Sequence, residues 1–100
     1  MQVQNISFQI NPEVELQWVE WMKNKFIPLL KSTNCFLDTP FYQLQISEDQ
    51  APTYTLQLFT QSADKLAQYD LEHSALLMEE LQSSWGNQCF HFITNMQIVN

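Results

Sequence analysis

Apolar and polar residues alternate with period two over residues 3–10: Ile6, Phe8 and Ile10 point one way, and Asn5, Ser7 and Gln9 the other. That pattern predicts a half-buried strand. It returns in three further stretches. "FYQLQI" (residues 41–46) sets Tyr42, Leu44 and Ile46 on one side, and "TYTLQLFTQ" (53–61) sets Tyr54, Leu56 and Leu58 against Thr53, Thr55 and Gln57. "CFHFITNMQIV" (89–99) alternates Phe90, Phe92, Met96 and Ile98 with His91, Ile93, Asn95 and Gln97.

Between these strands the period changes to that of a helix. Asn11 suits an N-cap and Pro12 the first helical position, where a missing N–H costs nothing. Val14, Trp18, Trp21 and Met22 then share one face. Pro28 cannot continue the hydrogen-bond ladder, so the helix is expected to break or kink near Ile27. Asn34 closes the turn that follows in a left-handed conformation. Ser62 caps a second, long helix, on which Leu66, Tyr69, His73, Leu76 and Leu77 trace a face and Leu81 extends it. Gly86, the one glycine of the chain, stands where that helix needs its terminating residue. "SEDQAP" (47–52) has the length and polarity of a hairpin connection.

The order is strand, helix, strand, strand, helix, strand. It folds most simply as one ferredoxin-like α+β domain over residues 1–100: a four-stranded antiparallel sheet, strand order four, one, three, two, with two helices on one face. The oily sides of the strands are then expected under the helices. The opposite face would carry Asn5, Ser7, Gln9, Phe41, Gln43, Gln45, Thr55, Gln57, Phe59, His91, Ile93, Asn95 and Gln97, none of them charged. A sheet face turned to water usually collects charge. A face with amides and aromatics but no charge resembles a partly polar interface, and a two-fold dimer makes such a face self-complementary. Phe41, Phe59 and Ile93 would otherwise form an exposed apolar patch. The candidate dimer interface is therefore Phe41, Gln43, Gln45, Gln57, Phe59, His91, Ile93 and Asn95. The competing reading is a solvated face that happens to be rich in Gln and Thr.

Composition narrows the partners. The formal net charge is −7, with four lysines and no arginine. Phosphate neutralisation needs Lys and Arg, which argues against nucleic acid and against anionic lipid as partners. No apolar run approaches the roughly 18 residues of a membrane helix. "MQVQNISFQINPE" lacks the basic and apolar regions of a signal peptide, so the expected location is the cytoplasm. Cys35 and Cys89 read as small apolar residues kept reduced.

"WVEWM…FIP…TNCF", "TYTLQLFTQSADKLAQY…H…G" and the final "FITNMQIV" resemble a small bacterial domain-of-unknown-function family, over nearly the whole chain. Its members look like the dimeric α/β-barrel superfamily, in which ferredoxin-like subunits join through their sheets. The resemblance thus implies this fold and a homodimer, and no reaction. Two positions depart from the family pattern. Phe26 stands where the family usually has His, so no role of that imidazole carries over; Asn34 stands where it usually has Gly, and keeps the backbone role.

Most catalytic machinery is absent from the sequence. There is no phosphate-cradling loop, dinucleotide fingerprint, nucleophile elbow, CxxC or HExxH. If Cys35 and Cys89 begin the two edge strands, three strand spacings of ~4.8 Å separate them, roughly 14 Å and too far for a disulfide. His73 shares a face with Tyr69 and has Asp70 three positions before it. That makes it an acid–base candidate, against the plainer reading of a histidine at the edge of the core. Trp18, Trp21, Tyr69 and His73 form a candidate pocket between the helices and the sheet, although two tryptophans at helical spacing are usually core. Trp85 is expected against the end of its own helix, and Lys23, Lys25 and Lys31 at a solvated helix end. No cofactor and no metal site is expected.

The sequence thus points first to a non-enzymatic cytoplasmic homodimer, a binding or accessory module. The alternative is a small dimeric α/β-barrel enzyme of the antibiotic-biosynthesis monooxygenase type, acting on a hydrophobic or aromatic molecule. A cavity reached by His73 separates the two.

Overall fold

The computed structural model describes residues 1–100. Four strands, β1 (Gln2–Ile10), β2 (Phe41–Gln43), β3 (Thr53–Thr60) and β4 (Cys89–Gln97), form one antiparallel sheet in the order β2-β3-β1-β4. This is the ferredoxin-like α+β arrangement. The two central strands carry the alternation most cleanly, because the helices cover one of their faces. Ile6, Phe8 and Ile10 of β1 and Tyr54, Leu56 and Leu58 of β3 are all buried there.

The first helical segment does not break at Pro28. A 3-10 turn (Pro12–Val14) capped by the Asn11 side chain leads into α1 (Glu15–Trp21), then a π turn (Met22–Phe26), then α2 (Ile27–Ser32). Proline removes the N–H that would bond the Asn24 carbonyl, and its ring would crowd that oxygen. The wider π turn, in which the Ile27 N–H reaches back to the Met22 carbonyl, absorbs both problems and keeps the path helical. Asn34 then takes φ 59, the expected left-handed conformation.

The second helical segment is divided where one long helix was expected. α3 (Ala63–Glu72) and α4 (Ser74–Trp85) meet at His73, whose φ of −129° and ψ of −33° are off the helical values. The cause is local. The Ser74 hydroxyl donates to the Asp70 carbonyl at 3.3 Å, the acceptor its own N–H would have used, and such back-bonding bends helices. The His73 N–H still reaches the Tyr69 carbonyl (2.9 Å), so the chain turns without losing its ladder. Ser62 caps α3 by accepting the Lys65 N–H, and Gly86 ends α4 at φ 55.

Both edge strands lie in the opposite phase to the sequence expectation. In β4, Cys89 faces Ile10, His91 faces Phe8 and Ile93 faces Ile6, so Cys89, His91, Ile93 and Asn95 are on the helix side. Phe90, Phe92 and Met96 are on the open side and exposed. In β2, Phe41 pairs with Leu56 and its ring stacks on Tyr54 at 5.5 Å, which sets Phe41 and Gln43 towards the helices and Tyr42 away from them. Alternation selects a face only when one side is oily and the other polar. In both edge strands both sides carry large apolar residues, so the pattern alone has no preferred phase. β2 is also shorter than expected. Gln45 lies beyond its end, while Leu44 and Ile46 are exposed.

The core centres on Trp18, fully buried with Phe8 (5.2 Å between ring centroids), Tyr54 (5.1 Å) and Phe41 (5.8 Å) around it. The Tyr54 hydroxyl donates to Glu15 Oε2 at 2.7 Å and ties β3 to α1. Gln4, buried on the helix side, donates to Asn95 Oδ1 at 3.0 Å and more weakly to Asp70 Oδ1 at 3.5 Å, which joins β1, β4 and α3.

Candidate functional site

The four residues of the candidate helix-side pocket do not converge on a common space. Trp18 and Tyr69 are completely buried, each in its own aromatic cluster: Trp18 among Phe8, Phe41 and Tyr54, and Tyr69 against Phe36 at 4.7 Å. Trp21 stacks on Phe26 (5.4 Å) and meets Trp85 edge-on (5.8 Å). Trp85 therefore packs across to the first helical segment rather than on its own helix. Phe26 fills fully buried space beside Trp21.

His73 is half-buried at the α3–α4 bend, with its ring 6.3 Å from that of Tyr69. The carboxylate nearest its imidazole is that of Glu72, 3.8 Å from Nε2; Asp70 turns instead towards Gln4. A shallow cleft of about 380 Å³ lies elsewhere, lined by Leu29, Leu76, Leu77, Glu79, Glu80 and Ser83 between α2 and α4. It includes none of Trp18, Trp21, Tyr69 and His73. Lys25 closes on Glu80 at 2.8 Å beside it, so this lysine is paired rather than simply solvated.

The thiols are sequestered. Cys35 and Cys89 are both buried and unpaired, Cys35 in the connection ahead of β2 and Cys89 at the start of β4. Burial pushes the Cys89 thiol up to about 11, only partly opposed by the Trp18 indole N–H. A thiol held protonated in this way is a poor nucleophile. No three His, Cys, Asp or Glu side chains gather as a metal site would require.

The open face of the sheet is not covered by any other element of the chain. It carries Val3, Asn5, Ser7 and Gln9 from β1, and Thr53, Thr55, Gln57 and Phe59 from β3. Tyr42 joins it on the β2 side, and Phe90, Phe92, Thr94 and Met96 on the β4 side. The phase correction exchanges many of the expected members. Phe41, Gln43, His91, Ile93 and Asn95 leave this face, Gln57 and Phe59 stay, and Tyr42, Phe90, Phe92 and Met96 join. It does not change the character of the face, which still has no charged residue.

The arrangement is a polar stripe with apolar borders. Asn5 and Ser7, joined by a 3.1 Å hydrogen bond, lie with Thr55 and Gln57 along the centre. Phe92 (55% exposed) and Phe90 (60%), edge to face at 5.1 Å, form one border and Tyr42 (51%) the other. Phe59 and Met96 flank Val3 at one end, and Val3 is buried. One signal in the sequence, which the alternation reading leaves out, is consistent with this phase. Gly86 ends the helix, and Cys89 is the first apolar residue to reach the sheet after it. Cysteine is among the most buried residue types. Counting inward positions from Cys89 gives 89, 91, 93 and 95.

A family model described as a domain of unknown function, DUF4286, matches residues 1–99. The chain belongs to the DUF4286 family. No curated protein matches this sequence. Solved structures match the fold along its whole length. An ethyl tert-butyl ether d (ethd) family protein from Bacillus halodurans has a TM-score of 0.73 at 15% identity, covering 98% of this chain and 100% of that one. A dimeric ferredoxin-like protein from an uncultured marine organism has a TM-score of 0.62 at 6% identity, covering 99% and 95%. A de novo designed protein, Foldit4, matches at 0.61 with 6% identity, covering 97% of each chain. At these identities the likeness is one of fold, and DUF4286 carries no assigned reaction.

Proposed function

We propose that this DUF4286 protein is a homodimeric binding or accessory module, not an enzyme, and that its two protomers pack through their open sheet faces. The observation that carries this reading is the open face itself: four strands wide, without a charged residue, with Phe90, Phe92 and Tyr42 more than half exposed. Apolar borders around an amide and hydroxyl stripe suit a second copy, because amides pair with amides across a two-fold axis. One fold neighbour is described as a dimeric ferredoxin-like protein, which supports a homodimer. The two buried free cysteines suit a reducing compartment, and we assign the protein to the cytoplasm. The net charge of −7 without arginine argues against a nucleic-acid partner.

A catalytic role of the monooxygenase type would need a cavity reached by His73. Trp18 and Tyr69 are sealed into the core, and the one cleft lies between α2 and α4. The structure offers that role no specific support.

The test is solution mass by light scattering, for the wild type and for a variant with Thr55→Lys and Gln57→Lys. Both positions are half-exposed in the middle of the face, so the fold tolerates lysine there, while four like charges would meet in the face-to-face assembly. The expected result is half the wild-type mass. Equal masses, with unchanged circular dichroism, overturn the reading.

A further inference from the structure

β4 pairs with β1 on one side only, and its other edge is open. The direction of its peptide groups follows from the register. Gln57 and Phe59 donate their N–H groups towards the β2 side, to Pro40 and Asp38, and the Thr53 carbonyl accepts from Leu44. Odd-numbered residues of β3 therefore turn their peptide groups to β2 and even-numbered ones to β1. Alternation carried through both registers makes the even-numbered residues of β4 bond to β1. The bond from Ile98 N–H to the Met1 carbonyl follows the same rule. The peptide groups of His91, Ile93 and Asn95 thus point outward.

The two edges of the sheet are treated differently. β2 has three residues, is preceded by Pro40 and is followed by the acidic Glu48 and Asp49. β4 has nine residues and contains no Pro, Lys, Arg, Asp or Glu. Proteins normally blunt such an edge with charge, proline, a bulge or a covering element. Here the helices do not cover it, since Ile93 is 46% exposed on the helix side and Phe92 is exposed on the other.

We propose that β4 is a second association surface, pairing edge to edge and antiparallel with β4 of another copy about a two-fold axis at Ile93. A two-fold antiparallel register centres on a single residue of the strand, paired with its own copy. Ile93 is the midpoint of Cys89–Gln97 and the choice that pairs the whole strand. The side chains then match on both faces. Ile93 meets Ile93 and His91 meets Asn95 on the helix side, while Phe92 meets Thr94 and Phe90 meets Met96 on the open side. The aromatic–thioether and aromatic–β-branched pairs are favourable, and no like charges oppose. Two four-stranded sheets join into one of eight, and the apolar borders of the two open faces become continuous. This surface is independent of the face-to-face contact, and where the two kinds of two-fold axis intersect at right angles both together build a closed tetramer.

The experiment compares wild type, Ile93→Pro, Ile93→Lys and the Thr55→Lys/Gln57→Lys variant by light scattering, with circular dichroism to check the fold. Proline is tolerated where an edge N–H faces solvent, and lysine at the axis opposes two like charges. Edge pairing predicts that both Ile93 variants halve the wild-type mass and that backbone amides of His91 and Asn95 exchange faster in them. If the mass is unchanged in the folded Ile93→Lys and Ile93→Pro proteins, the edge contact is overturned, whatever the face variant does. If the Ile93 variants halve the mass and the face variant does not, the edge contact stands and the face-to-face reading falls. A monomeric wild type overturns both.

Discussion

His91 stands opposite Phe8 across β1 and β4, on the helix side of the sheet, with 6.5 Å between the ring centroids. This single pairing sets the phase of the whole edge strand. With His91 inward, Phe90 and Phe92 face outward, and the open face gains two exposed aromatic rings that alternation had assigned to the core. In a nuclear Overhauser spectrum the His91 ring protons should contact Phe8, and the Phe92 ring should contact Ser7. Contacts from Phe92 to Trp18 instead would reverse the phase, and the open-face assembly with it.

Three acidic groups predict loss of stability in alkali. Burial, followed by the hydrogen bond to Glu15 and its charge, pushes the Tyr54 hydroxyl from 10.0 to about 12. Burial raises Cys89 from 9.0 to about 11 and raises Tyr69 as well, with the Asp70 and Cys35 charges adding to the latter. A raised pKa means the folded state holds its proton while the unfolded chain releases it. The stabilisation is complete below the unfolded values and is lost as pH rises through the folded ones. Urea midpoints should therefore be flat near neutrality and fall progressively from about pH 9 to 12. Tyr54→Phe should cost roughly 1–3 kcal/mol at neutral pH, by loss of the bond to Glu15, and should fall less steeply in alkali. A midpoint rising over that range would contradict the assigned burial.

The Tyr69 hydroxyl is buried with no hydrogen-bond partner. A polar group desolvated without a partner costs roughly 1–3 kcal/mol, and phenylalanine keeps the ring against Phe36. Tyr69→Phe is expected to be neutral or stabilising, with a thermal midpoint up by several degrees; about 1 kcal/mol corresponds to roughly 4–8 °C at this size. A clear drop in the midpoint would mean that the hydroxyl is satisfied in solution.

Gly86 has φ 55 and ψ −129, a combination close to glycine-only, and an added Cβ would meet nothing within 4 Å. Gly86→Ala should therefore destabilise through the backbone alone, by roughly 1–3 kcal/mol. Denaturant unfolding at constant m-value measures it. An unchanged midpoint would show that α4 can end another way.

What the residues determined by themselves is the local chemistry and the order of elements. Asn11 and Pro12 start the first helical segment, Ser62 caps the second, and Asn34 and Gly86 take the positive φ that their positions required. The central strands β1 and β3 were legible because one side of each is oily and the other polar. The uncharged nature of the open face was legible too, since charge is missing from both phases of the edge strands. Tertiary structure decided the rest. The phase of β2 and β4 depends on their registers against β3 and β1, because both faces of each edge strand carry apolar side chains. The π turn before Pro28 and the bend at His73 are local instead: each follows from which near neighbour in the chain claims a single carbonyl oxygen, and hydrophobic spacing does not reveal it. The candidate pocket was not legible, because helical spacing shows that Trp18 and Trp21 share a face but not whether space remains beside them. Packing filled that space with Phe8, Phe26, Phe41, Tyr54 and Trp85.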